Sequence, residues 1–257
     1  MPRALHALLA GLLLTASGLS PSIAAAQSPP RPDLAQVLRR LDDLYRSGAS
    51  IGRVELTVET PRLSRTLRMR IWTRGLDRSL IVIEAPARER GTSTLRVDRN
   101  LWNYMPRISR TIRIPPSMML SSWMGSDFTN DDLVREASYA EDYNCSVAGR
   151  STRPVGWLIR CEAREGLVGL WKRLEMVVDD SGTLPIEARY YDRRLRHART
   201  MRFDQVREMD GRRIPTRMTL VPVDRQGHRT VMRYLDLDFD ASVPESTFSL
   251  SRLERNR

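Results

Sequence analysis

Few side chains of this chain have the types and spacing that catalysis needs. Only His197 and His228 remain as histidines beyond residue 26, and neither lies in a metalloprotease or nucleophile-elbow motif. Adjacent carboxylates occur at Asp42-Asp43, Asp131-Asp132 and Asp179-Asp180, which are predicted to lie on a helix face, at a helix start and in a turn. Carboxylates are common at such places for structural reasons. The sequence therefore predicts a binding protein and no enzyme, with no cofactor and no metal ion.

Two cysteines are spaced as if they belonged to one hairpin. Cys145 and Cys161 are equally distant from Arg153, so a turn near Thr152-Arg153-Pro154 would place them opposite each other. In an exported protein this favours a disulfide, worth roughly 3 kcal/mol in the chain-entropy model. Two reduced core cysteines are the alternative. Zinc is not indicated, because neither histidine has ligand-like spacing to the cysteines.

The first 26 residues are typical of a secretory signal peptide. Arg3 supplies a positive start, Leu5 to Leu19 form an apolar run, and Ala24-Ala25-Ala26 provides an A-x-A cleavage site. An uncleaved membrane anchor is the alternative, although glycines interrupt the run and it is short for a bilayer. We expect cleavage after Ala26, export to the periplasm, and a single domain over residues 27–257.

The charge distribution does not favour a nucleic-acid partner. The formal net charge is +11 at pH 7, but the basic residues are spread along the chain and Lys172 is the only lysine. Attraction to anionic lipid head groups or acidic partners is physically reasonable for such a protein. We expect contact with membranes to be peripheral only.

The periodicity of apolar residues predicts one helix followed by many strands. Residues recur at intervals of three and four between Asp33 and Ser47-Gly48, which is typical of an amphipathic helix. From Arg53 to Phe239 the interval is two, and each segment has one apolar and one polar face, as in antiparallel sheets. About eleven strands are expected. Because strand twist accumulates, such a sheet curls into a barrel or half-barrel with an apolar concave face.

Apolar side chains are unusually dense in the segment between the two halves of this sheet. Met118, Met119, Leu120, Trp123 and Met124 follow each other within a few residues. Unbranched thioether side chains adapt to irregular or changeable partners. We interpret the segment as a turn or helix that forms a displaceable lid over the apolar face. The alternative is that it fills the core of a β domain.

The end of this segment carries a helix-start signal. Thr129 precedes Asp132 by three positions, so its hydroxyl group is placed to cap the first turn of a short helix. Phe128 and Leu133 occupy the positions of a hydrophobic staple. Gly125-Ser126 is the predicted hinge before that helix.

Four motifs together resemble the LolA-like outer-membrane lipoprotein-sorting family. They are W-x-Y-x-P (residues 102–106), R-x-x-R-T-I-R-I-P (107–115), G-S-D-F-T-x-x-D-L (125–133) and P-x-x-x-F-x-x-x-x-L (244–253). The resemblance runs from about Leu34 to Leu253. It implies a mainly β fold, an unclosed antiparallel β-barrel with an N-terminal helix and a short helical lid.

The resemblance also implies a periplasmic carrier that holds the acyl chains of a lipoprotein or other lipid and moves them toward the outer membrane. The residues expected to line or cover its hydrophobic cavity are Trp102, Tyr104, Met118, Met119, Leu120, Trp123, Met124 and Phe128. Arg107, Arg110 and Arg113 could meet an anionic head group at the rim, and a solvated strand face is the alternative.

The partners implied are acyl chains and an inner-membrane transporter. Two other functions remain open at this point. One is a binding module of the same fold that senses lipid or envelope stress and acts on a membrane signalling or transporter partner. The other is an envelope hydrolase, which would depend on His197 or His228.

Overall fold

In a computed structural model, the described residues are 29–45, 47–75, 77–134, 139–167 and 171–254. The signal peptide predicted over residues 1–26 lies outside them. Residues Arg31–Arg257 form one compact unit, to which the following description applies.

One antiparallel sheet of thirteen strands dominates the fold, in the order β6-β5-β4-β3-β2-β1-β13-β12-β11-β10-β9-β8-β7. The strands are β1 Ala49–Thr60, β2 Leu63–Arg74, β3 Arg78–Ala85, β4 Ser93–Val97, β5 Asn100–Met105, β6 Arg110–Arg113, β7 Tyr143–Thr152, β8 Val155–Ala163, β9 Arg173–Val178, β10 Pro185–Tyr191, β11 His197–Met209, β12 Arg212–Pro222 and β13 Arg229–Asp238. The chain builds outward from β1 to β6, crosses to β7 and returns inward to β13, which pairs with β1. The sheet does not close, because β6 and β7 remain at its edges. The predicted mainly β, unclosed fold is confirmed, with thirteen strands rather than about eleven.

The helices are short. They are α1 Leu34–Asp43, α2 Asn130–Val134, α3 Tyr139–Asp142 and α4 Leu250–Glu254, with 3-10 turns at Pro106–Ile108, Pro116–Met118 and Glu245–Phe248. Asp33 caps α1 as an acceptor for the backbone N–H of Gln36 at 3.2 Å. The helix predicted after Asp33 is therefore confirmed, and it buries Val37 and Leu38.

Buried and more exposed side chains alternate along the strands, so the sheet has an inner and an outer face. Val54, Leu56, Leu67 and Met69 are almost fully buried on the inner face, in one core with Val37 and Leu38 of α1. The inner face is therefore the one that α1 covers.

The outer face has its own cover near β2 to β5. On β3, Ile81 and Ile83 belong to the inner core, whereas Leu80 and Val82 belong to a second core with Phe248 of the C-terminal segment (residues 239–254). A run of four consecutive buried residues thus reflects a strand that is covered on both faces.

The segment from Pro115 to Thr129 contains no α-helix. It begins with the 3-10 turn and continues as a loop to α2, so the predicted turn or helix is a turn. Pro115-Pro116 limit the backbone N–H groups available to a helix, and Met124 and Gly125 adopt positive φ values of 51° and 70°. The positive φ values of Met124 and Gly125 exclude a helix that runs through these two residues into α2.

Candidate binding cavity

A cavity of about 380 Å³ lies between the inner face and the three helices α1, α2 and α3. The helices contribute Leu41 from α1, Leu133 from α2 and Tyr139 from α3, and Leu44 and Tyr45 follow directly after α1. Strands on both sides of the β1–β13 pair supply the floor. The cavity is therefore a space between the sheet and its helical cover.

Five methionines of the strands line this cavity. They are Met69 on β2, Met176 on β9, Met201 on β11, Met218 on β12 and Met232 on β13. Met218 and Met232 lie directly opposite each other across their strand pair. Their side chains make the floor apolar and adaptable in shape.

Aromatic rings stiffen one wall of the cavity. Tyr45, two residues after the end of α1, stacks on Tyr234 of β13, with ring centroids 5.2 Å apart. Its hydroxyl group donates to the backbone oxygen of Pro215 at 2.7 Å. Burial, with the nearby Tyr234 and Tyr139, raises the pKa of Tyr45, so its hydroxyl group stays neutral. These contacts hold the chain just after α1 against the sheet.

A buried ion pair forms the polar part of the cavity lining. Arg199 of β11 is 5% exposed, and its two terminal nitrogens donate to the carboxylate of Asp132 in α2 at 2.7 and 2.6 Å. The guanidinium carbon lies 4.3 Å from the ring centroid of Trp171 and 4.5 Å from that of Tyr190. The arginine therefore contacts two aromatic rings, which are edge-to-face neighbours with centroids 5.2 Å apart, and has a bidentate carboxylate at its tip.

The charges of this pair are stabilised by each other. Burial by itself would raise the pKa of Asp132, but Arg199 and the hydrogen bonds from Thr129 outweigh it, and the pKa lies below its ordinary value. Burial would lower the pKa of Arg199, whereas Asp132 raises it, and the net direction is upward. Both groups are charged, and the pair joins the helical cover to the sheet.

The predicted helix start at Thr129 is confirmed. The backbone N–H of Asp132 donates to the Thr129 hydroxyl oxygen at 3.2 Å, and the backbone N–H of Thr129 donates to the Asp132 carboxylate at 2.8 Å. This is a reciprocal capping box in which an aspartate takes the place usual for glutamate. Asp132 therefore both caps α2 and holds Arg199.

The turn before α2 is tied firmly to the sheet. The indole N–H of Trp123 donates to the Thr94 hydroxyl oxygen at 3.1 Å, and the Trp123 side chain is 2% exposed. The Asp127 carboxylate accepts a hydrogen bond from the Thr230 hydroxyl group at 2.8 Å. It also forms an ion pair with Arg225 at 2.8 Å. Gly125 thus lies in a turn anchored on both sides, and its role as a hinge stays a prediction.

The residues predicted for the cavity fall into three groups. Trp123 and Phe128 line it, and Met124 packs partly buried against the same core. Trp102 and Tyr104 belong to the outer core with the C-terminal segment. The side chains of Met118 and Leu120 are 48% and 56% exposed, and Met119 is half-buried. Contact of these residues with a ligand stays a prediction.

The three predicted head-group arginines lie at the β6 edge. Arg107, Arg110 and Arg113 are all exposed, and Arg113 donates to the side-chain oxygen of Asn100. They are absent from the residues that line the cavity among those described. Their contact with a head group also stays a prediction.

Sequence reasoning missed Arg199 and the strand methionines. The signal was present, because Arg199, Met201 and Phe203 alternate along β11 and all line the cavity. An arginine in phase with inward-facing apolar residues is a candidate for a buried polar site. The many other arginines of the chain obscure this signal.

The sequence also contains a G-x-S-x-G pattern, at Gly48 to Gly52. Ser50 lies within strand β1 rather than at a turn between strand and helix, and its side chain is 3% exposed. Its hydroxyl group is hydrogen-bonded to that of Thr73 at 2.6 Å. The context that makes such a serine a nucleophile is therefore missing here.

The predicted disulfide is present. Cys145 on β7 and Cys161 on β8 are opposite each other, with an S–S distance of 2.07 Å. The hairpin turns at Arg153-Pro154. The bond therefore links the edge strand β7 to β8, its neighbour in the sheet.

Among the described residues, no group of three or more His, Cys, Asp or Glu is placed to hold a metal ion. None of the helices in this part of the chain is long and apolar enough to cross a bilayer.

Comparison with solved structures identifies the fold. A DUF1329 family protein from Desulfovibrio piger is 24% identical with a TM-score of 0.76, and the match covers 85% of this chain and 96% of that one. A LolA superfamily protein from Nitrosomonas europaea is 22% identical with a TM-score of 0.71, covering 85% and 98%. A Vibrio parahaemolyticus domain described as an outer membrane lipoprotein-sorting protein is 21% identical with a TM-score of 0.73, covering 86% and 97%. The predicted LolA-like resemblance is confirmed at the level of the fold.

No curated protein matches the sequence. The model of a family described as "-like: Uncharacterized protein" matches residues 75–255. Since this range is more than half of the chain, the chain belongs to that family, and its fold is LolA-like.

Proposed function

We propose that this protein is a periplasmic carrier that binds an acyl chain of a lipoprotein or other lipid in the cavity and transfers it toward the outer membrane. The observation that carries the proposal is the cavity itself. Its volume of about 380 Å³ lies within the range of small-molecule sites, and methionine and aromatic side chains line it.

The lining suits a flexible hydrocarbon chain better than a rigid polar ligand. Each methylene group removed from water contributes about 0.8 kcal/mol, so affinity grows with the length of chain that enters. The unbranched side chains of Met201, Met218 and Met232 can adjust to chains of different length or unsaturation. The cavity thus favours acyl chains as a class.

Similarity in fold agrees with this role. One structure with this fold carries the description of an outer membrane lipoprotein-sorting domain, and another belongs to the LolA superfamily. A signal peptide over residues 1–26 would deliver the protein to the compartment in which such sorting takes place. Cleavage of the signal peptide is tested by N-terminal sequencing of the mature protein, whose first residue we expect to be Gln27.

The binding step is tested by substitution of the cavity floor. The probe is the methyl ester of a fluorescent polyene fatty acid, titrated into the purified mature protein. Met218→Trp adds bulk inside the cavity and is expected to weaken binding at least about tenfold. The matched control is Met118→Trp, the same substitution at an exposed methionine, which is expected to leave the affinity within about twofold.

Two outcomes would contradict the proposal. One is a wild-type protein that takes up no probe at any concentration. The other is a Met218→Trp protein that is folded, by its unfolding transition, and still binds like the wild type. Loss of binding in Met118→Trp alone would instead place the ligand at the exposed methionines.

The carrier step needs a separate measurement. Transfer of a labelled acyl lipid from donor to acceptor vesicles is expected to accelerate with protein concentration. Tight binding without acceleration would argue against a carrier and for a module that senses lipid.

A further inference from the structure

One exposed segment at the β6 edge of the sheet combines basic and apolar side chains without a carboxylate of its own. This edge segment, residues 107–122, contains β6 and most of the loop that follows it, and most of its residues are exposed. It carries three arginines, and no Asp or Glu occurs between residues 99 and 126. Its exposed large apolar side chains are Ile108, Ile112, Met118 and Leu120. Such a concentration of exposed apolar groups in one segment indicates an interaction surface.

The arginines of the edge segment differ from those on other strands. Elsewhere on the sheet, arginines commonly pair with carboxylates, as Arg160 does with Glu175 at 3.0 Å. Among the described residues, Arg107 and Arg110 have no such ion-pair partner. Their positive charges are therefore available to an anionic group outside the chain.

Strand pairing places part of the edge segment on the side of the sheet that holds the cavity. Ile112 lies opposite Asn103 of β5, whose side-chain oxygen accepts a hydrogen bond from the Thr94 hydroxyl group at 2.8 Å. The Thr94 hydroxyl oxygen in turn accepts the indole N–H of Trp123, which lines the cavity. Ile112, and Arg110 two residues before it, therefore lie on the face to which the Trp123 turn is anchored.

A strand of a second copy is the competing partner for the free edge of β6. This strand has only four residues, and Arg110 and Arg113 stand at its two ends. Short edge strands and charged side chains work against pairing with another strand. A membrane surface with anionic lipids suits the segment better, because phosphate groups pair with arginine and the head-group boundary accepts apolar side chains.

We propose that the edge segment docks on the surface of a membrane that contains anionic phospholipid. Arg107 and Arg110 contact the lipid phosphate groups, while Ile112 and Leu120 enter the boundary between head groups and acyl chains. This inference goes beyond the proposed function, because it concerns a surface outside the cavity and holds whichever ligand the cavity binds. Docking there places the membrane beside the Trp123 wall of the cavity.

The test is flotation of the full mature protein with vesicles of phosphatidylcholine alone or with added phosphatidylglycerol. The wild type is expected to bind the anionic vesicles at least about tenfold more tightly, and salt is expected to weaken this binding. Arg107→Glu combined with Arg110→Glu is expected to lower the affinity for anionic vesicles at least about tenfold. The matched control is Arg194→Glu combined with Arg207→Glu, which changes the net charge equally at exposed arginines outside the segment and should stay within about threefold.

A second pair of variants tests the apolar contact without a change of charge. Ile112 and Val206 are both strand residues, 42% and 43% exposed. Ile112→Ser is expected to weaken binding to anionic vesicles about fivefold, because less apolar surface enters the head-group boundary. Val206→Ser is expected to leave the affinity within about twofold. The unfolding transition of each variant shows whether it is folded.

The outcomes are distinct. A wild-type protein that floats with neither type of vesicle overturns the inference, and so does an equal loss in the two arginine double variants, which would reflect overall charge alone. Self-association of the wild type that the edge variants abolish, without any dependence on vesicles, assigns the edge to a second copy and also overturns it. Failed flotation with intact uptake of the fluorescent fatty ester leaves the proposed function in place, whereas failed uptake with intact flotation overturns only the proposed function.

Discussion

Two groups of methionines in this chain have the same chemistry and opposite surroundings. Met69, Met176, Met201 and Met218 lie on strands and are between 1% and 8% exposed, at the floor of the cavity. Met118 belongs to the loop before α2 and is 48% exposed. Residue type and local density favour the loop as the binding segment, whereas the position in a strand decides which methionines reach the cavity.

The difference lies in what surrounds each group. A strand residue in phase with buried neighbours has its side chain directed to the inner face, where α1 and the opposing strands complete its packing. A loop residue has no such period. In the loop, Trp123 and Phe128 are buried, and hydrogen bonds hold their turn against Thr94 and Thr230. The loop is thus divided into an exposed part and an anchored part.

The largest effect is expected at the anchored part of the loop. Trp123→Ala removes a 2% exposed indole and its hydrogen bond, so the free energy of unfolding should fall by about 3–5 kcal/mol in denaturant titrations. Trp123→Phe keeps most of the volume and is expected to cost much less. An alanine variant as stable as the wild type would mean that this turn packs loosely against the sheet.

The next largest loss of stability is expected for a methionine at the cavity floor, compared with one in the loop. Met69→Ala opens space beneath the inner face and is expected to cost about 2–5 kcal/mol. The same change at exposed Met118 should stay within about 0.5 kcal/mol. Thermal or denaturant unfolding of both variants measures the contrast directly. Equal losses would remove the distinction between floor and loop.

The smallest effect concerns the helix that carries Asp132. Thr129→Ala removes the hydroxyl group that caps α2 and is expected to reduce stability by about 1 kcal/mol. Thr129→Ser retains the hydroxyl group and should lose only a fraction of that amount. If serine were as damaging as alanine, the methyl group rather than the cap would explain the loss.

Several local features followed from the sequence because their causes are local. The amphipathic period between Asp33 and Gly48 was sufficient for α1, and alternation was sufficient for the strands. The three-residue interval from Thr129 to Asp132 predicted the cap of α2. The symmetric spacing about Arg153 predicted the pairing of the cysteines. The turn is in fact centred between Arg153 and Pro154, and a shift of register between Val147 and Gly149 brings Cys145 opposite Cys161.

Three-dimensional structure alone decided how these parts combine. Alternation places Trp102 and Tyr104 on one face of β5, but it could not tell whether that face meets the cavity or the C-terminal segment. The pairing of Arg199 with Asp132 joins residues 67 positions apart, and no short interval encodes it. Periodicity determines which side of a strand or helix is apolar, whereas only the packing of distant elements determines what that side contacts, because burial depends on the whole chain.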